Sequence, residues 1–387
     1  MSAANSPVDA TRGSGRPLGA MVVLGLVGLL FGVIYLELLH LAFGVMWDTI
    51  PDALADRDVL LAGYILAMLT VGACLVGLLR RKEGVYGHSP LDGLKVTPDP
   101  ARIALISLGA VVLTLLFGAV LGPEAGLLAL GTAIGSWWAS RTNSDDGRTK
   151  SLITAAVIGA VCGLVVSMGS HGTIVLPAPQ VSVATDLIGS VVVAVAAALV
   201  AAFIRWGAYL LRSWADTAQI HVGRITTAGF AIGVVAAVAL LITQVDAKYV
   251  LGSGEGYIAQ IPSLAGVGTI AIIMVGKGLA YLFSLGGGLR GGPIFPAMFL
   301  GGLMAALLVE IGLAGDEPIL IAAGVMASLA VGLALSWTAL VITAVVIGLL
   351  MGSWLLIPAT LIGLVIGRLV GMALDRVPGV GPVPDLA

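Results

Sequence analysis

Few side chains in this sequence could do chemistry, and most of them stand inside clusters of glycine and proline. Glu124 lies in Gly122-Pro123-Glu124-Ala125-Gly126, in an otherwise apolar stretch. Three further clusters have a similar make-up: Gly87-His88-Ser89-Pro90, Gly252-Ser253-Gly254-Glu255-Gly256 and Gly291-Gly292-Pro293-Ile294-Phe295-Pro296. A helix that starts at such a break leaves its first N–H groups unpaired and points the positive end of its dipole outward. That end attracts an anion without supplying a full positive charge, and a set of partial charges holds an ion loosely enough for it to leave again. Proline suits the first turn because its missing N–H would have been unpaired anyway. A carboxylate at such a start can occupy the place meant for an anion, and its protonation would vacate that place. Glu124 therefore reads as a gate or proton carrier, with a helix cap as the plainer alternative.

The other polar residues in apolar surroundings carry weaker signals. Glu255 reads as a helix cap or a water-facing loop residue. Glu37, with His40 nearby, reads as internally paired or close to an interface. Lys277 would neutralise buried carbonyls or an acidic partner, and His88 would pack a loop. Trp137 and Trp138 resemble an interfacial anchor. Gly169-Ser170-His171-Gly172 sets a hydroxyl beside an imidazole, but adjacent helical residues point about 100° apart. The pair is badly placed for the nucleophile–base bond a hydrolase needs.

The elements that must position these residues are apolar helices. Hydrophobic residues make up 59% of the 387 positions and charged residues 10%, where soluble domains carry about 25% charged residues. Mean hydropathy is +1.09. These values predict an all-α polytopic membrane protein. A net charge of −2 gives no reason to expect nucleic acid. Cys74 and Cys162, both inside apolar runs, read as small core hydrophobes, and neither a metal site nor a cofactor is expected.

A hydrocarbon layer of about 30 Å takes about 20 helical residues. Apolar runs occur near 20–46, 58–79, 101–121, 151–168, 183–211, 226–243, 265–284, 294–313, 318–334 and 338–373, the last divided near Gly352 or Pro358. Several are short or begin directly after a Gly/Pro cluster, which predicts helices that stop partway through the bilayer. Residues 1–19 read as a disordered cytoplasmic tail, 20–375 as the membrane domain and 376–387 as a C-terminal tail. Arg12 and Arg16 before the first helix, and Arg80-Arg81-Lys82 after the second, place the N-terminus in the cytoplasm by the positive-inside bias. Compact loops suit a bacterial plasma membrane.

The clusters also repeat. The first and third, and the second and fourth, are offset by about 165–170 positions. The chain thus reads as two diverged halves, about 20–212 and 213–375. Gly/Pro-interrupted helices at matching positions of two repeats point to a transporter-type binding site.

Taken in order, these clusters resemble the CLC family of chloride channels and chloride/proton antiporters over roughly residues 20–373. Gly122 to Gly126, with Gly131 and Gly135 after it, looks like the family's G-R-E-G-P segment. Gly291 to Pro296, with Lys277 upstream and Gly301-Gly302 downstream, looks like G-G-I-F-x-P. Leu251 to Tyr257 is similar to the G-x-G segment, and Tyr86 to Pro90 lies where G-S-G-I-P is expected. The resemblance implies two inverted half-repeats with broken helices, a homodimer in the lipid bilayer, and an anion pathway in each subunit for chloride or a similar small inorganic anion. Glu124 would be the external gate. Backbone N–H groups around Glu124–Ala125 and Ile294–Phe295 would bind the anion, within a lining of Gly122, Pro123, Gly126, Gly292, Pro293 and Pro296. Gly87, His88, Ser89 and Pro90 would line the inner side.

Departures from the family pattern bear on coupling and selectivity. Gly87 aligns where a coordinating serine is common. Pro293 falls where a coordinating N–H is expected. No glutamate occurs between Lys150 and Gln180, where antiporters carry an internal proton-transfer glutamate, and the last tyrosine is Tyr281. A passive channel is therefore favoured. The alternatives are a chloride/proton antiporter with a different relay, a fluoride transporter and, from another class, an organic-solute transporter.

Overall fold

The computed structural model describes residues 16–54, 57–83, 89–92, 96–171, 174–214, 222–333 and 335–380. The described chain is helical, without strands, and seven of its helices are long and apolar enough to cross a membrane. In chain order the helices are α1 (Arg16–Gly44), α2 (Ile50–Asp52), α3 (Asp58–Glu83), α4 (Ala101–Leu116), α5 (Glu124–Arg141), α6 (Asp146–His171) and α7 (Val183–Trp214). They continue with α8 (Val222–Thr243), α9 (Val267–Gly286), α10 (Ile294–Glu310), α11 (Glu317–Gly332), α12 (Trp337–Leu350) and α13 (Ile357–Leu374). The long final apolar run does divide, at Gly352 with φ +101° and at Pro358 in the first turn of α13.

Side-chain and loop contacts sort the helix ends into two levels. Ser136 of α5 donates to the Asp99 carbonyl just before α4, and Arg205 of α7 pairs with Asp375 after α13. At the other level Lys248 pairs with Asp48, the Gly266 N–H donates to Glu310, and the Asp316 N–H donates to Asp186. The first level carries the basic ends Arg80–Lys82, Arg141, Arg148, Arg212, Arg224 and Arg376. The second carries mainly carboxylates.

Two helix pairs enter this frame without crossing it. The pair α4–α5 starts and ends at the basic level, and α9–α10 starts and ends at the acidic level. With 16 residues, α4 is about 24 Å long, short of a full span. The two breaks meet tip to tip as a single antiparallel bridge between Gly122 and Gly292.

Around that bridge the hydrogen bonds repeat at a constant spacing of 170 positions. The Val120 N–H donates to Ser284 Oγ, and the Arg290 N–H donates to Thr114 Oγ1. Thr114 and Ser284 each donate to the carbonyl four residues earlier, at 2.8 Å in both cases. Gly118 and Gly288 both take positive φ, +87° and +93°. The inverted repeat is thus expressed atom by atom where the halves touch. Backbone groups cannot be left bare in lipid, so irregular chain at this depth has to be buried and paired. Here each half pairs the other.

In a third pair, α11 ends at Gly332 and α12 starts at Trp337. The carbonyls at the end of α11 and just after it are met by arginines from other helices: Arg205 donates to Val331 at 2.9 Å and Arg368 to Leu333 at 3.5 Å. Pro318 to Val331 of α11 are all buried, as expected of a helix apolar on every side. Cys74 is half-buried, but Cys162 lies on the exposed face of α6, so only the former packs as expected of a core hydrophobe.

Glycine stripes set the closest helix approaches. Gly363, Gly367 and Gly371 of α13 lie on one face against the backbones of Ala323, Ala327 and Val331 of α11, where any Cβ would collide. Small residues play this part in lipid because no hydrophobic effect drives helices together there. Gly367→Leu is expected to destabilise the fold by about 1–3 kcal/mol or more, read as a lower unfolding temperature in detergent. Gly268→Leu, at a position with open space around it, serves as the control and should unfold where the native protein does.

Candidate functional site

The bridge holds the first turns of α5 and α10 against each other. The Gly122 N–H donates to the Gly292 carbonyl and the Gly292 N–H to the Gly122 carbonyl, both at 2.7 Å. Pro123 and Pro293 follow as the residues that precede α5 and α10. Glu124 then opens α5 and Ile294 opens α10. The sequence uses glycine at 122 and 292 for a reason of space. The Glu124 carboxylate folds back over both, and a Cβ at either position would overlap it.

Glu124 is 3% exposed. Its Oε1 accepts the Phe295 N–H at 3.1 Å, and the N–H groups of Ile294 and of Glu124 itself also act on the carboxylate. The carboxylate thus occupies the N-terminal mouth of α10 in the manner of a bound anion. Its Oε2 is buried without a hydrogen-bond partner. Nothing locks that oxygen in place, which suits a group that leaves. Pro293 contributes no N–H, as its ring dictates, but the next two residues take over. Its carbonyl is accounted for by the Tyr281 hydroxyl, at 2.8 Å.

Most of the expected lining residues come together here. Gly122, Pro123, Gly126, Gly292, Pro293, Phe295 and Pro296 are buried around the carboxylate's turns, with Ala125 and Ile294 half-buried. Gly126 receives the Tyr35 hydroxyl of α1 against its bare Cα. Gly87 and His88 lie outside the described residues. Ser89 and Pro90 are described: the Ser89 Oγ accepts the Leu91 N–H at 3.4 Å, and the Leu91 carbonyl accepts the Tyr209 hydroxyl of α7.

Next to Pro123 is a cavity of about 260 Å³, opening at the acidic level. Leu39, His40 and Phe43 of α1 line one side of it, Lys248 and residues 251–257 the other, and Pro123 its depth. Lys248 pairs with both Asp48 and Asp246. Burial alone would lower its pKa, but the two carboxylates outweigh that and hold the ammonium above the usual lysine range.

One polar residue differs from its sequence reading. Glu255 is not a water-facing loop residue: it is 3% exposed, and its Oε1 is buried without a partner. Gly254 before it takes φ +80° and sits against Phe299 and the Lys277 stem, a placement periodicity cannot reveal. Lys277 does neutralise carbonyls, donating to Val250, Leu251 and Gly252 at 3.5, 3.1 and 3.2 Å over the ring of Phe299. Glu37 accepts the Ser167 hydroxyl. Ser170 donates to the Ser167 carbonyl, so its hydroxyl points to backbone. Trp137 is exposed beside Arg141, in keeping with an anchor.

Tyr35, Tyr281, Arg205 and Arg368 were not singled out by the sequence. The one signal for Tyr35 was its spacing of four from Leu39 and eight from Phe43, which puts the three on one face of α1.

A family model described as voltage gated chloride channel matches residues 148–372. The chain belongs to that family. No curated protein matches it. Among solved structures, a slow cyanobacterial Cl⁻/H⁺ antiporter superposes with TM-score 0.74 at 16% identity, over 94% of this chain and 96% of the other. A CLC-type fluoride/proton antiporter gives 0.61 at 12% identity, over 94% and 98%. A eukaryotic CLC transporter gives 0.61 at 15% identity, over 93% and 72%. At these identities the likeness is one of fold, and it extends over nearly the whole chain. The fold is CLC-like, with two inverted half-repeats and broken helices.

Lys277 anchors the loop that forms one wall of the cavity. Lys277→Met would strip three buried carbonyls of their donor, at about 1–3 kcal/mol or more. The expected result is a lower unfolding temperature in detergent, together with faster hydrogen exchange at residues 250–256 than elsewhere.

Proposed function

We propose that this protein carries chloride or a similar small inorganic anion across a bilayer, along a path lined by the N-termini of α5 and α10 and gated by Glu124. The contact that carries this reading is the Phe295 N–H held by the Glu124 carboxylate. A permeant anion would replace that carboxylate once it swings away or takes a proton. Backbone donors suit the task because each contributes only a partial charge. The cavity at the acidic level would be the outer vestibule. The basic level then faces the cytoplasm, in line with the positive-inside bias, and the N-terminus lies on that side. A bacterial plasma membrane and a homodimer with one path per subunit complete the proposal.

Passive flux is the favoured mode. No glutamate occurs between Lys150 and Gln180 to feed protons from the inner side. Below Tyr281, Arg205 is engaged by Asp375 at 3.0 Å and by the Val331 carbonyl at 2.9 Å. Proton-coupled exchange is the second reading, favoured by the buried Glu255 near the gate and by the two proton antiporters of like fold. Fluoride in place of chloride is compatible with either.

Liposomes holding purified protein decide between them. Native protein is expected to release chloride or fluoride without opposed proton movement, and Glu124→Gln to release it at least as fast and without dependence on outer pH. Opposed proton movement lost in Glu124→Gln would establish exchange instead. No inorganic anion flux in either protein would overturn the transport reading.

A further inference from the structure

The gate is not the only carboxylate buried at this depth. Glu255 stands in the cavity wall, at the first position of a 3-10 helix (Glu255–Ser263) that packs on α10. Its backbone N–H is held by Ser253 Oγ at 3.2 Å, while Oε1 has no partner. An ionised carboxylate left so in an apolar site is costly, and intramembrane acids are functional candidates for that reason. Glu124 Oε2 and the Tyr35 hydroxyl are the other buried polar atoms nearby without a partner.

The three are in one electrostatic neighbourhood. Glu255 lies within the field of Glu124, and Tyr35 within the field of both. Phe43 and Leu39 line the cavity, and Tyr35 is one turn deeper on the same face, with its hydroxyl against Gly126 in the first turn of α5. Glu255 and Pro123, the residue before Glu124, line the same cavity, and Tyr35 stands behind its wall.

We propose that Glu255 is the outer proton acceptor for the gate, taking a proton from vestibule water and passing it to Glu124 by way of the Tyr35 hydroxyl or a water beside it. The proton adds to the Glu255 carboxylate. It then leaves for Glu124 while Tyr35 gives up its own proton and receives another, so that Glu255 returns to carboxylate and Tyr35 is unchanged. Glu124, now a neutral acid, is a poorer acceptor for the Phe295 N–H than an anion, and the anion takes its place. The inference rests on the gating role proposed for Glu124.

Other charged and titratable groups around the path are accounted for. Lys277 reaches past Gly254 but spends its ammonium on three carbonyls. Lys248 is paired with Asp48 and Asp246 and stays charged at ordinary pH. Tyr257 stands under Lys248. His40 lines the same cavity and carries an imidazole, so it needs its own control.

The test is anion flux from liposomes after a rapid drop in outer pH, for native protein, Glu255→Gln, Tyr35→Phe, His40→Gln and Glu255→Gln combined with Glu124→Gln. Glu255→Gln is expected to slow the rise to the acid-activated rate at least tenfold, with the final rate within twofold of native. Tyr35→Phe should slow it less, because water can substitute, and His40→Gln should not slow it. In the Glu124→Gln background Glu255→Gln should change nothing, since that gate takes no proton. An unslowed rise in Glu255→Gln would overturn the relay alone. An equal loss of flux with and without Glu124 would do the same, by marking Glu255 as structural. Absent flux in the native protein would overturn the transport reading and the relay with it.

Discussion

The structure turns on the mutual pairing of two chain breaks inside an apolar medium. A broken helix at membrane depth exposes N–H and C=O groups that nothing in lipid can satisfy. This fold answers the demand of one break with the other. Gly122 and Gly292 exchange both their backbone hydrogen bonds, and Thr114 and Ser284 each cap the opposite loop. The requirement fixes where α4, α5, α9 and α10 end and brings two helix N-termini to one point.

What the pairing leaves over is the site. After the bridge is made, the N–H groups at the start of α10 still lack intrahelical partners. In the described structure the Glu124 carboxylate takes them. The two halves are not equivalent here: the position matching Glu124 in the second half is Ile294. One half brings the carboxylate and the other brings the donors, so duplication with divergence yields a carboxylate and its seat from one motif. The bare Cα atoms of Gly122 and Gly292 give that carboxylate its room.

Much of this was legible because the constraints act on residue type. Only glycine allows the close approaches at 122 and 292 or the positive φ at 118 and 288, and proline marks the first turns, so the clusters announce the breaks. Their offset of about 170 reported the repeat. Glu124 stood out as a carboxylate with no polar company. Glu255 was misread because its Gly/Ser neighbours have the composition of a surface loop. Burial there comes from α1 and α10, which are distant in sequence. Tyr35 and Tyr281 were missed for a related reason, since a tyrosine in an apolar helix gives no hint of where its hydroxyl points. Arg205 and Arg368 stand in as caps for the end of α11, a role set entirely by tertiary packing. Selectivity and coupling stayed open in the sequence because the backbone donors that hold the Glu124 carboxylate carry no residue signature.

The central claim is that Glu124 holds a place built for an anion. Calorimetric titration of chloride and fluoride into detergent-solubilised native protein and Glu124→Ala tests it without requiring transport. With the carboxylate gone, the N–H groups of Ile294 and Phe295 are free for a ligand, and at least one of the two anions is predicted to bind at least tenfold more tightly to the variant. Equal affinity and stoichiometry in the two proteins would contradict the account, because the mouth of α10 would then not be the place where the anion sits.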